Sequence, residues 1–488
     1  LKAQQMPKPS AHEISTLPAW AKLMYADHPN IFELRNAYEA FYVLHPFEKN
    51  YHTQYYKRFM RSNQYFVNDL GFLEYPSNAQ IQSEKLAYLK KQAQQNKTTN
   101  WSIVGPITNF QEGATPGSGQ TNVYSFDQCE GNPQLCYCGT EPGEVYKSSN
   151  GGLNWELVSK TIDFGSGVTA VEVHPTNGNI VFASGNNGIF KSTDGAQTWT
   201  QVLQTTGLNA NELLILPSNP NIVFAATDKG LYRSNDAGQN WNLLFNQKTY
   251  DIKQKPNSAQ TLYLLKNNPS QIRCEFFIST DAGLNWTLQD NGWYSSSDPA
   301  RIDGGGRLGV SPAAPEKVYA YLIGDSKPND FGYIGLYVSD NAGATWTLPN
   351  GPVGGPYSTT HVNLAMGTPT WNYHQGFYNC AILVNPNNAD EVLIGGLNLY
   401  RSTDAGLSFS SVSGYVGGPL NLHVDNQDFR VIGNQTWITT DGGIYHSTDF
   451  LATQPDFYMS GVHGSDYWGF DNGWNEDVLV GGLYHNGN

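Results

Sequence analysis

Two carboxylates stand apart from the rest of this chain. Asp303 lies in Arg301-Ile-Asp-Gly-Gly-Gly-Arg307 and Asp425 in His423-Val-Asp425, each beside a glycine-rich or histidine-containing turn. A glycosidase needs two carboxyl groups facing each other across a cleft, and these two are the candidates for such a pair. Turn capping is the competing reading of each. A second group, His423, Asp425, Asp428 and Asp441, is rich in oxygen ligands. Residues two apart on a strand point to one side. Carboxylates beside an Asp-Gly-Gly turn suit a hard cation such as calcium. The same side chains can instead bond backbone groups and lock neighbouring elements together. Nothing in the chain demands a cofactor. The chain contains no Gly-x-Ser-x-Gly, phosphate-loop or His-Glu-x-x-His pattern.

Aromatic side chains offer a different chemistry. Trp293 and Tyr294 fall in one long insertion, residues 287–306, and Tyr357, Trp371 and Tyr373 in another, residues 350–377. Exposed aromatics on long loops suit sugar or peptide contacts, so these five are the expected binding residues. The alternative is that they pack against helices nearer the N-terminus. Five cysteines are present, and Cys129 and Cys136 or Cys138 flank the turn Glu130-Gly131-Asn132-Pro133. The hairpin reading places them on adjacent strands, where a disulfide is expected. That bond would imply an oxidising compartment.

The elements that hold these residues follow from composition and periodicity. Of 488 residues only 14% are charged, with 50 Gly, 29 Tyr and 12 Trp. This suits short strands joined by tight turns. Net charge is −14: residues 1–100 carry 12 basic and 8 acidic side chains, the rest 16 and 34. An acidic body excludes nucleic acid as a natural partner, because phosphate binding needs a basic face. No apolar run approaches the length of a membrane-spanning helix, so no membrane insertion is expected.

Residues 1–11 read as a tail and 12–100 as a helical preface. Asn30 begins a capping pattern with Glu33, and Leu34, Tyr38 and Phe41 follow at helical spacing until Pro46. Tyr55, Tyr56, Phe59, Met60 and Phe66 mark a further helix, and Ile81 to Leu89 another. The preface is expected to pack on the body that follows.

From Trp101 onward a repeat appears: an aromatic strand, then Ser-x-Asp-x-Gly-x-x-Trp. Its copies run from Ser148 to Trp155, Ser192 (with Asp194) to Trp199, Ser234 (Asp236) to Trp241, Ser279 (Asp281) to Trp286 and Ser339 to Trp346. Ser402 with Asp404 and Ser447 with Asp449 complete the set. The starts are 44, 42, 45, 60, 63 and 45 residues apart, and a four-stranded propeller blade takes roughly 40–50 residues. The expected fold is therefore all-β, a propeller of about seven or more four-stranded blades over 101–488. The Ser and Asp side chains cap turn N–H groups and Trp packs under the hairpin, as structural staples. The ending Val478-Leu-Val-Gly-Gly-Leu copies Val392-Leu-Ile-Gly-Gly-Leu, so the last blade is expected to be incomplete. A missing C-terminal part of the same protein would then be one partner.

These boxes resemble the Asp-box (BNR) repeat propellers, a superfamily that includes sialidases and the sortilin ectodomain. Three further stretches are similar to large sortilin-like proteins of the type IX secretion route. They are Trp101-Ser-Ile-Val-Gly-Pro, the run from Gly376 through Gly395 to Asp404, and His423-Val-Asp425 with Asp441-Gly-Gly-Ile-Tyr. The resemblance implies a secreted or cell-surface protein. A sialidase would need an arginine triad, and arginines are sparse after residue 101. The expected function is a non-catalytic scaffold for protein or glycan binding and adhesion. The alternatives are a propeller-type glycoside hydrolase and a structural subunit of a cell-envelope or extracellular assembly.

Overall fold

The computed structural model describes residues 9–77, 121–271, 273–294, 303–324, 333–350, 363–368, 371–376, 378–462, 467–472 and 479–483, with scattered positions between 79 and 87. The chain divides into two compact units, Leu1–Gly105 and Pro106–Asn488.

The first unit is helical. Its helices include Ala11–Thr16, Ala19–Met24, Ile31–Leu44 and Tyr51–Asn63. Asn30 caps the third as its spacing predicts, accepting from the backbone N–H of Phe32 and Glu33. Trp20 is the hub of the aromatic core. It meets Tyr38 and Tyr56 edge-on at 5.0 and 5.7 Å, and those two tyrosines stack at 3.7 Å. Most of the expected helix from Ile81 to Leu89 lies outside the described residues.

The second unit is a seven-bladed β-propeller of antiparallel sheets. Blades 1 to 4 span Val123–Leu157, Ala170–Gln204, Ala210–Phe245 and Thr249–Leu288, and blades 5 to 7 span Asp303–Ser339, Ala381–Ser413 and Asn426–Phe457. Blade 5 has three full strands, and a bridge from Val338 to Thr347 stands in the fourth position. The first strand of every blade packs against the first strands of both neighbours, so these seven line the axis. Buried apolar clusters fill the gaps between consecutive sheets.

The boxes behave as local staples. In blade 3 the Ser234 hydroxyl donates to Asp236 Oδ1 at 2.7 Å and accepts from Gly238 N at 2.8 Å, while Asp236 Oδ1 accepts from Asn240 N at 2.8 Å. The same pattern recurs at Ser148, Ser192, Ser279, Ser339, Ser402 and Ser447. The box tryptophans reach the preceding blade: Trp241 meets Phe182 at 6.5 Å and Trp346 meets Phe276 at 4.8 Å. Gly230, which opens the third strand of blade 3, has φ +140°, and an added Cβ would sit 1.9 Å from the Phe245 carbonyl oxygen. Only glycine fits there.

The ring closes between blade 7 and blade 1. Blade 7 is a complete four-stranded sheet, and it packs on blade 1. Phe126 stacks on Trp437 at 4.4 Å, Trp155 Nε1 donates to the Tyr458 carbonyl at 3.0 Å, and Trp155 N donates to the Ser460 carbonyl at 2.8 Å. After blade 7, Leu479–Leu483 pairs with Tyr467–Asn472 in a two-stranded sheet, as expected of an incomplete last blade.

The expected disulfide does not form: Cys129, Cys136 and Cys138 are buried free thiols. The reason is strand parity. Gln128 stands opposite Cys136 and Phe126 opposite Cys138, so Cys129 faces the other side of the sheet. Cys129 joins the cluster with Val171 and Phe190, whereas Cys136 and Cys138 join that with Trp437 and Ile444.

Candidate functional site

Charge gathers on the axis. The first strands carry Asp127, Glu172, Glu212, Asp251, Lys253, Arg307, Asp428 and Arg430. Four carboxylates reach across to the backbone of the next blade. Asp127 accepts from Val173 N at 2.6 Å, Glu172 from Ile215 N at 2.8 Å, Asp251 from Leu308 N at 2.7 Å, and Asp428 from Phe126 N at 3.2 Å. The last of these spans the seam between blades 7 and 1. Glu212 instead takes Lys253 at 2.7 Å and Arg430 at 2.9 Å, and Arg430 also meets Asp428 at 3.2 Å. Arg307 donates to the carbonyls of Tyr250, Asn211 and Cys380.

Burial and neighbours set the acidities. Burial pushes the Asp127 carboxyl up to about 7 against the pull of Arg430. Burial, reinforced by Asp127, raises Glu172 well above the usual carboxylate range. At Glu212 burial is overcome by Arg430, Lys253 and Arg307, which hold it at about 2. Every one of these groups is engaged within the ring, so the axis works as a strut between blades.

The mouth of the axis is built differently. Asp441 lies in the turn between the second and third strands of blade 7, and Glu141 in the corresponding turn of blade 1. The Tyr378 hydroxyl, just ahead of the first strand of blade 6, lies 3.2 Å from both Asp441 Oδ1 and Tyr124 Oη, within hydrogen-bond reach of each. Gln427 donates to the same Asp441 oxygen at 2.6 Å. Asn122 bonds both Glu141 and the Tyr378 hydroxyl. Burial raises the Asp441 carboxyl well above its ordinary value, and Asp425 and then Glu141 add to the rise. Burial also raises both tyrosines. Three carboxyl groups, two phenols and two amides thus converge near the starts of the first strands of blades 1, 6 and 7.

Sequence reasoning singled out two members of this group, Asp425 and Asp441. It missed Glu141, Tyr378, Tyr124 and Gln427. A signal for Glu141 existed: it stands seven residues ahead of Ser148, much as Asp441 stands six ahead of Ser447.

The expected calcium set does not assemble. Asp428 is turned to Arg430 and to the Phe126 N–H, and His423 Nδ1 lies 2.9 Å from the Val424 carbonyl. The strand of blade 7 begins only at Asn426, and Asp425 has φ +64°, so the two-residue alternation does not extend back to His423. Among the described residues no three His, Cys, Asp or Glu side chains are arranged to hold a metal ion. Asp303 opens the first strand of blade 5, opposite Gly324, while Asp425 precedes that of blade 7, so blade 6 lies between them. The carboxyl that neighbours Asp425 is Asp441, whose N–H donates to the Asp425 carbonyl at 3.1 Å.

Trp293 and Tyr294 are core residues, contrary to the expectation of exposed binding aromatics. They are only 7% and 9% exposed, between blades 4 and 5. Trp293 Nε1 donates to the Cys274 carbonyl and the Tyr294 hydroxyl accepts from the Cys274 N–H, both at 2.8 Å. Their indole and phenol groups thus bind the third strand of blade 4 rather than a ligand. Trp371 and Tyr373 fall on the short strand Trp371–His374, their side chains outside the described residues, as is Tyr357 altogether.

No protein-family model matches the chain, and no curated protein matches it in sequence. Solved structures resemble it in fold. A GH74 xyloglucanase from Xanthomonas campestris superimposes with a TM-score of 0.53 at 14% identity, over 75% of this chain and 58% of that one. An ancestral GH74 enzyme gives 0.55 at 19% identity, over 76% and 53%. The chain therefore spans little more than half the length of these structures. At such identities the likeness is one of fold.

Proposed function

We propose that this chain is a recognition propeller, secreted or displayed at the cell surface, that takes a protein or glycan ligand at the mouth of its axis without chemical turnover. The observation that carries this reading is the division of labour between axis and mouth. The axial carboxylates are occupied by backbone N–H groups or by cations and serve the ring. The mouth brings together phenol, amide and carboxyl groups, the inventory that fixes a neutral polar ligand by hydrogen bonds. Its extracellular setting rests on the sequence resemblance.

The full chain on a glycan array and against surface-protein extracts is expected to retain a ligand, and Tyr378→Phe with Asp441→Asn to lose at least about tenfold in affinity. Unchanged retention by the double variant would place recognition elsewhere.

A second reading is a propeller-type glycoside hydrolase. It is favoured by the Asp425–Asp441 neighbourhood, where a buried carboxyl held protonated could serve as general acid. Release of reducing sugar by the parent chain, abolished in Asp441→Asn, would establish this reading in place of the first.

A further inference from the structure

The helical unit contains a half-open cavity of about 530 Å³, within the range of small-molecule sites. Its walls include Tyr25, Tyr55, Phe59, Phe72 and Tyr75, with Asp27 and His28 among the other lining residues. Tyr25 and Tyr55 lie parallel at 5.6 Å, and Phe59 tilts against Tyr55 at 5.9 Å. Phe72 and Tyr75 are 43% and 59% exposed, large aromatic surfaces left at the opening.

The lining says what kind of guest fits. The Tyr25 hydroxyl is bonded to His52 Nδ1 at 2.9 Å, and that of Tyr75 to Asn63. These rings therefore offer faces rather than hydroxyls. A sugar ring asks for several polar partners, and few side chains here supply them. Aromatic faces carry negative potential and attract cations. Asp27 adds negative charge, and no Lys or Arg is among the lining residues. Charge and shape are complementary to a bulky, weakly hydrated cation.

We infer that this cavity binds an alkylated ammonium group. The cation sits against the ring faces of Tyr55, Phe59 and Phe72, with Asp27 supplying charge at the rim. The site is separate from the propeller mouth and stands or falls independently of it.

Calorimetric titration of the full chain with choline tests the inference, set beside its neutral carbon isostere in which tert-butyl replaces trimethylammonium. Choline is expected to bind at least about tenfold more tightly than the isostere, the scale of a desolvated cation–π contact. Phe72→Ala, at an exposed position, and Asp27→Asn are each expected to weaken choline several-fold. Titration with a trimethyllysine peptide then separates a free metabolite from a modified chain as the source of the group. Equal affinity for the two isosteres, no heat from choline, or choline binding indifferent to Phe72→Ala would overturn the assignment.

Discussion

The rim and the axis of the propeller hold polar groups by opposite means. At the rim each Asp box closes on itself: Ser234 and Asp236 bond groups within four residues of their own position. At the axis the carboxylates bond beyond their own blade: Asp127 reaches residue 173, and Glu212 is reached from Lys253 and Arg430. Rim staples stabilise one hairpin at a time, while axial bonds make seven hairpin stacks into one ring. At the rim the box serines are buried too, but they carry no charge and their partners are local. The axis is buried, where an unmatched charge has no water to fall back on.

Glu212→Ala should show the largest effect. It strands Arg430 and Lys253 around an empty carboxylate position, and removal of one partner from a buried pair costs about 3–5 kcal/mol. Urea unfolding followed by tryptophan fluorescence measures it. Asp127→Asn should come next and should depend on pH. The Asp127 carboxyl is raised to about 7 in the fold against about 4 in the unfolded chain. Between those values the folded state holds a proton that the unfolded state has released, so this group's contribution falls as pH rises. The melting temperature of the variant should gain on the parent from about pH 4 to 7 and stay level above. A flat difference would remove Asp127 from the strut. Ser234→Ala should be smallest. It removes the buried acceptor of the Asp236 and Gly238 N–H groups in one turn and should cost about 1–2 kcal/mol. If it matched Glu212→Ala, the contrast between rim and axis would fail.

The same contrast explains what could be read from the sequence. The box is local, so its spacing exposed the blades, one for each of its seven copies. Asn30 announced its helix for the same reason. The axial ring was invisible, because its partners lie some forty residues or more apart and no motif links them. Parity misled at Cys129, where the turn puts the cysteine on the opposite face from Cys136. It misled at His423 because the strand had not yet begun. Trp293 and Tyr294 show the limit of loop-length arguments: an insertion can fold back into the core it interrupts. At the mouth, Asp425 and Asp441 were legible as unusual carboxylates, but Tyr378 was not, since it arrives from a different blade.

The propeller is covalently continuous at six of its seven junctions. At the seventh, blade 7 and blade 1 belong to stretches some three hundred residues apart, bridged by non-covalent contacts of Asp428, Trp437 and Trp155 and by the backbone bond from Trp155 to Ser460. No short peptide tethers this joint once it parts. It is therefore the hinge line along which a pulled or heated ring would unzip, and the place where a clasp engineered between neighbouring strands would most restrain the unfolded chain.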